Sequence, residues 1–223
     1  MQRQTPTLSL FQATALGREP TPHSRPEKVS THLEPLDDLL EGGLSLGSAM
    51  LVAGRPKVGA TSFLLGMGLA SLKRQERVAI LSRRLSEAQL RGRLLLLESR
   101  INGHRVRAGF ISDEDRQALE AARGQIPWSF LSLISEPQLG VVQNHLQSYR
   151  PDLLIWDVPL GVEAGEPNRF LAMMQQAKDL IRMARAEQVA LAVHFVLPKK
   201  ASAPERMELP GLGALAELFS HVL

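Results

Sequence analysis

The chain has 223 residues, 44% of them hydrophobic, which is enough for one α/β domain with a sizeable core and short for two. It contains no cysteine, so disulfides, thiolate nucleophiles and cysteine metal sites are excluded, and a reducing, cytoplasmic setting is expected. No apolar run approaches the roughly 20 residues of a membrane span, and the N-terminal MQRQTPTLSLF lacks the pattern of a signal peptide. The net charge of +3 allows nucleic-acid contact without demanding it.

Residues 1–30 are rich in Pro, Thr, Arg and Gln and show no helical or strand period, so a flexible N-terminal tail is expected, followed by one domain over 31–223. Leu33, Leu36, Leu39 and Leu40 then recur at helical spacing before a stop at Gly42-Gly43. AMLVAG reads as a short buried strand, SFLLGMGLASLKR as a helix and RVAILS as a second strand. SEAQLRGRLLLLESRI is a helix opened by Ser86, and ISDEDRQALEAARGQ a helix whose Ser112 and Asp115 have capping-box spacing.

The second half repeats the alternation: SFLSLIS strand, QLGVVQNHLQSY helix, then DLLIWDV as a strand ending in Asp157. A loop is expected from Pro159 to about Pro167, then the helix RFLAMMQQAKDLIRMARAEQ, the strand VALAVHFVL, a Pro- and Lys-bearing loop, the helix GLGALAELF and a last run HVL. Short apolar strands without polar alternation, separated by helices, predict a mostly parallel sheet flanked by helices on both faces. Ligands of such sheets sit at the carboxyl ends of the strands.

The stretch Gly54-Arg55-Pro56-Lys57-Val58-Gly59-Ala60-Thr61 occupies that place, between a strand and a helix. It matches the phosphate-binding pattern G-x-x-x-x-G-K-[ST] except that Ala60 stands where the lysine belongs. Such a loop holds phosphates with backbone N–H groups and the helix N-terminus. A second acid, Asp157, closes a later strand as the metal-supporting acid of a P-loop site does, so two partial motifs stand in the correct order. The competing reading of GRPKVGAT is a tight turn that binds nothing.

LEPLDDLLEGGLSLGSAMLVAGRPKVGATSF, VAILSRRLSEAQLRGRLLLLESRINGHRVRAGFISDED and DLLIWDV resemble the C-terminal motor domain of DnaB-type replicative helicases, with the most specific likeness between Ser86 and Asp115. The resemblance runs from about Thr31 to the end of the sequence and implies a RecA-like P-loop NTPase fold. It assigns Gly54, Gly59, Thr61 and Asp157 to a nucleotide site, with Thr61 and Asp157 holding Mg²⁺ when nucleotide is bound. It also exposes departures. Ala60 cannot supply the lysine charge, and Arg84 occupies the position of the family's water-activating glutamate, where a guanidinium cannot accept a proton. Val196 falls where the family has a phosphate-sensing glutamine. Lys57 has two readings, a solvated loop lysine or a displaced phosphate contact. The family's N-terminal collar domain and its arginine finger have no counterpart in the sequence given.

The resemblance thus implies a hydrolysis-deficient interaction or regulatory module of DNA replication or repair, with ATP and Mg²⁺ at most weakly bound and no catalytic residue. Its partners would be a helicase, another ATPase or the sliding clamp. The alternative is an ATP-binding helicase subunit with rewired phosphate contacts or one completed by a partner subunit. Single-stranded DNA contact falls to Lys199, Lys200 and Arg206 in the loop after VALAVHFVL, whereas the loop after Asp157 carries Glu163 and Glu166. Arg83-Arg84 form a second basic element to which Arg91, Arg93, Arg105 and Arg107 add, or those four are equally ordinary solvated faces, and Trp128 and Trp156 read as core or core edge. His104, His145, His194 and His221 receive structural readings. In the tail, Thr7-Leu8-Ser9-Leu10-Phe11 resembles a clamp-docking peptide in which Leu8, Leu10 and Phe11 supply the apolar contacts.

Overall fold

The computed structural model describes residues 25–82, 85–134, 138–160, 167–197 and 212–223. In chain order the elements are β1 (Lys28–Val29), α1 (Glu34–Leu39), β2 (Leu44–Ser45), β3 (Ala49–Gly54), α2 (Ala60–Lys73), β4 (Val78–Ser82), α3 (Glu87–Ser99), α4 (Gly103–Arg107), α5 (Asp113–Gln125), β5 (Leu131–Ile134), α6 (Leu139–Tyr149), β6 (Leu153–Leu160), α7 (Pro167–Ala186), β7 (Ala190–Val196), α8 (Leu212–Ala216) and β8 (His221–Val222). Six strands form one sheet in the order β5-β4-β6-β7-β3-β8. Every neighbouring pair in it is parallel. The α/β fold with a mostly parallel, helix-flanked sheet is therefore the one the apolar runs predict. A separate antiparallel ribbon joins β1 to β2.

Successive residues of a strand point to opposite faces, and here both faces are covered. Met50, Val52, Leu153, Ile155, Ala190 and Ala192 pack with α2, α3 and α5 on one side. Leu51, Leu154, Trp156, Leu191, Val193 and Phe195 pack with α6 and α7 on the other. Helix α2 lies close against the sheet because it carries glycine at the contact: a methyl group on Gly68 would come within 2.9 Å of Ile155 Cδ1. Close seating of α2 fixes where its first turn meets the strand ends.

The opposite end of the sheet is tied by charge. Asp152 is fully buried and accepts a hydrogen bond from the Arg77 N–H at 2.8 Å and from Arg25 Nε at 3.1 Å. Arg25 Nη2 also donates to the carbonyls of Pro151 and Gln188. Residues 25–30, read from sequence as tail, are thus in contact with the domain; residues 1–24 lie outside the described residues.

Local signals at helix ends are realised where the residues can act. Ser86 and Ser112 each cap a helix through a reciprocal capping box with Gln89 and Asp115. Helix α1 stops as expected, with Glu41 in the left-handed region and the Gly42 N–H bonded to the Asp37 carbonyl at 2.7 Å. Its leucine spacing does not mark a buried face, however: no α1 residue is buried, and Leu39 is 81% exposed. Strand β6 corrects a second expectation. It continues through Pro159 to Leu160 instead of ending at Asp157, and its pairing with β7 shifts register between Trp156 and Leu160. The local irregularity lets an acid sit inside the strand at the sheet's carboxyl edge. No helix among the described residues is long and apolar enough to cross a membrane.

Candidate functional site

Strand β3 delivers the chain to Gly54, where an added Cβ would meet Val58 Cγ2 at 2.8 Å, so the loop folds back tightly over its own start. Lys57 and Gly59 both have positive φ, 72° and 105°, and the turn into α2 needs the second to be glycine at little cost. Arg55 to Gly59 are exposed. Gly59 is the residue before α2 and offers no side-chain cap, so the first backbone N–H groups of the helix face the loop mouth without a side-chain acceptor. Ala60 opens the helix, half-buried, with a methyl group where a longer side chain would reach back over the loop.

Thr61 and Asp157 come together as the sequence pattern requires. Thr61 Oγ1 donates to Asp157 Oδ1 at 3.0 Å, joining the first turn of α2 to β6. The same Oδ1 lies 2.9 Å from Nδ1 of His194 on β7. A carboxylate has no hydrogen to give, so His194 Nδ1 is the donor. Both side chains are buried, 5% exposed for Asp157 and 7% for His194. Three elements, α2, β6 and β7, therefore converge on one carboxylate oxygen.

His194 is the residue beside Asp157 that sequence reasoning misses. Sequence alone groups it with His104, His145 and His221, which lie elsewhere: His104 is exposed on α4, His145 stacks on Tyr149 at 5.2 Å, and His221 is on β8. The available signal is that His194 is the sole polar residue of Ala-Leu-Ala-Val-His-Phe-Val, at the carboxyl half of a strand beside the loop strand. Val196, placed by sequence at a phosphate-sensing position, pairs in register with Gly54 and offers only an apolar side chain.

Ser82, the last residue of β4, pairs in register with Asp157, so the end of β4 borders the acid. Arg84 lies outside the described residues, as do Lys199, Lys200, Arg206, Glu163 and Glu166 and the peptide with Leu8, Leu10 and Phe11. Two of the arginines read as solvated are held by partners. Arg91 bonds Glu87 and lies 5.2 Å over the Trp128 ring, and Arg105 pairs with Asp115. Trp156 is fully buried, as expected of a core residue, and Trp128 is half-buried with its Nε1 donating to the Arg123 carbonyl.

A strand, a glycine loop, a helix N-terminus and a hydroxyl–carboxylate pair at the carboxyl edge of a parallel sheet form a phosphate-site geometry. Comparison with known proteins bears on the family and the fold. Residues 28–150 match the family model of the DnaB-like helicase C-terminal domain. The replicative DNA helicase DnaB of Synechocystis sp. is 31% identical over 157 residues, covering 66% of this chain and 18% of that protein. The replicative DNA helicase DnaB of Treponema pallidum is 26% identical over 206 residues, covering 85% of this chain and 45% of that protein. This chain thus spans less than half the length of either relative. Among solved structures, an ATPase domain superposes with a TM-score of 0.75 at 22% identity, over 87% of this chain and 74% of that one. A DnaB-like replicative helicase studied with primase gives 0.74 at 21% identity, over 87% of this chain and 50% of that one. At these identities the structural likeness establishes the RecA-like fold of DnaB ATPase domains. With more than half of its residues under the family model, the chain belongs to the DnaB-like helicase C-terminal domain family.

Proposed function

We propose that this protein serves DNA replication or repair as a cytoplasmic, DnaB-like interaction or regulatory module whose nucleotide site no longer hydrolyses ATP. The observation that carries this reading is Ala60: its methyl group opens α2 directly beside an otherwise intact loop and the Thr61–Asp157 pair. Phosphoryl transfer needs positive charge on the transferring group and a group to orient water. On this reading Ala60 and Arg84 hold those positions, where a methyl group carries no charge and a guanidinium accepts no proton.

The residues that remain suit binding better than chemistry. Gly54 and Gly59 let backbone approach a phosphate, and the open helix end favours an anion. Thr61 and Asp157 are hard oxygen donors that fit Mg²⁺, the hydroxyl as a direct ligand and the carboxylate as an acceptor for metal-bound water. Mg²⁺, when bound with nucleotide, would neutralise phosphate charge there. Its partners are replication or repair proteins, namely a helicase, another ATPase or the sliding clamp, with weak single-stranded DNA contact through Lys199, Lys200 and Arg206.

One observation favours a second reading, an ATP-binding helicase subunit with rewired contacts. Lys57 stands in the loop in a left-handed conformation, φ 72°, which a lysine adopts only at a cost, and it is exposed. Phosphate release by the purified chain, with and without single-stranded DNA, separates the two. The expected result is turnover at background. Robust turnover that Lys57→Ala abolishes would make Lys57 a relocated catalytic lysine and refute the proposal.

A further inference from the structure

Metal affinity at a hydroxyl–carboxylate pair depends on what else the carboxylate is bonded to. A metal-bound water and an imidazole N–H are both hydrogen-bond donors, and they compete for the same lone pairs. Each carboxylate oxygen offers two acceptor directions. On Asp157 both directions of Oδ1 are filled, one by Thr61 Oγ1 at 3.0 Å and one by His194 Nδ1 at 2.9 Å. Only Oδ2 is left for a metal's water shell.

His194 is held firmly in this place. It belongs to β7, which lies between the loop strand β3 and the acid strand β6, and it pairs in register with Val52 of β3. The imidazole is 7% exposed on a strand whose other residues are all apolar, so rotating it away would bury its polar edge against hydrocarbon. The Thr61 hydroxyl, by donating to Asp157, keeps its own lone pairs available. Competition therefore falls on the acid and leaves the hydroxyl untouched.

We propose that His194 is a built-in competitor for the divalent cation: by donating to Asp157 it completes the filling of Oδ1, leaves metal-bound water only Oδ2, and so lowers the site's metal affinity. Thr61 and Asp157 enter here as the metal pair of the proposed function. His194 acts on the metal through Asp157, as a positioning residue, and the site it leaves favours nucleotide held mainly by backbone N–H groups, with little dependence on Mg²⁺.

The test uses Mn²⁺ alone as the probe, with free Mn²⁺ followed by electron paramagnetic resonance and no nucleotide present. The full chain is compared with His194→Ala, His194→Ser, His194→Asn, Asp157→Asn and the double change His194→Ala with Asp157→Asn. Alanine has no donor and the serine hydroxyl stops one bond short of the imidazole Nδ1 position, so the Ala and Ser variants should bind Mn²⁺ at least tenfold more tightly, and the added Asp157→Asn change should abolish that gain. Asparagine places an N–H near the position of imidazole Nδ1, so His194→Asn should bind like wild type. Equal binding by wild type and the Ala and Ser variants, including none by any of them, would overturn the proposal, as would a gain in His194→Asn equal to that in His194→Ala. If neither the Ala nor the Ser variant folds, the wild type decides: submillimolar Mn²⁺ binding that Asp157→Asn abolishes overturns the proposal, and its absence agrees. Because nucleotide is left out, the outcome is independent of whether the wild-type chain turns over ATP.

Discussion

Replacing Ala60 with lysine restores the side chain that the loop pattern lacks, and its effect can be sized from the site. Residue 60 is the first of α2, follows the left-handed Gly59 and adjoins Thr61, whose hydroxyl is bonded to Asp157. Without a phosphate, a cation at a helix N-terminus is unfavourable by about 0.3–1 kcal/mol. With a phosphate bound, a hydrogen bond to a charged group contributes about 1.5–3 kcal/mol. The helix-end cost is present with or without ligand and cancels, while ordering the lysine side chain offsets about 0.5–1 kcal/mol, so about 1–2 kcal/mol remains, roughly 5–30-fold in an equilibrium constant. Isothermal titration of ADP should therefore show Ala60→Lys binding about 5–30-fold more tightly than wild type, while a phosphate-release assay with ATP stays at background. Removing one transition-state donor typically costs about 10²–10³ in rate. On the proposed reading Arg84 still holds the position of the water-activating group, and the two losses would act on one transition state, so they need not add. Adding Arg84→Glu should return a trace of turnover. Unchanged ADP affinity in Ala60→Lys, or full turnover from that single change, would show that the loop does not hold phosphate as the backbone geometry implies.

Three further outcomes are expected. Burial opposes the charge on Asp37, but hydrogen bonds from the Ser30 hydroxyl and from the Thr31 N–H and hydroxyl outweigh it and hold the pKa below its ordinary value of 3.8. A depressed carboxylate pKa stabilises the fold above the unfolded value and loses that effect as pH falls through the folded one, so Asp37→Ala should cost about 1–3 kcal/mol at pH 7 in urea unfolding. The difference from wild type should shrink below pH 3.8; a gap that stays constant down to about pH 2 refutes the assignment. Fluorescence titration with single-stranded DNA should show weak, sequence-independent binding whose log–log salt slope gains about −0.7 per neutralised phosphate, with Lys199→Ala and Lys200→Ala flattening it. Tight binding at physiological salt runs against that expectation. Finally, changing Leu10 and Phe11 to alanine should abolish capture of the chain by an immobilised sliding clamp; failure of the wild-type chain to bind the clamp disposes of the docking peptide.

The sheet was legible because buried parallel strands are continuous apolar runs, as AMLVAG is and as VAILS is up to its closing Ser82. The loop and Asp157 were legible because each follows an apolar run whose parallel strand brings it to the same carboxyl edge of the sheet. Two features were not. The leucines of α1 have helical spacing, yet no described element buries them, since periodicity records a stripe on a helix and not what lies against it. His194 faces Asp157 only because β7 inserts between β3 and β6 in one particular register, with the irregularity of β6 beyond Trp156. That alignment is a property of the assembled sheet. A lone histidine in an apolar run carries no mark of which neighbouring strand it will meet.

The same distinction separates the family from the chemistry at this site. The loop's course is set by backbone: a tight return at Gly54, positive φ at Lys57 and Gly59, and α2 pressed onto the sheet through Gly68. None of these depends on the side chain at position 60, so a RecA-like superposition survives the exchange of lysine for alanine unchanged. Catalytic charge, by contrast, resides in side-chain atoms beyond Cβ, which the backbone does not constrain. Shape and chemistry are therefore carried on different atoms and can be lost separately. His194 illustrates the converse: one side chain, on a strand that keeps its place in the sheet, takes up a lone pair of the Asp157 Oδ1. On the proposed reading, a site of this kind keeps the form of a nucleotide pocket while separate positions bear on separate requirements of hydrolysis: Ala60 on the phosphate charge, Arg84 on the activation of water and His194 on the hold on the metal.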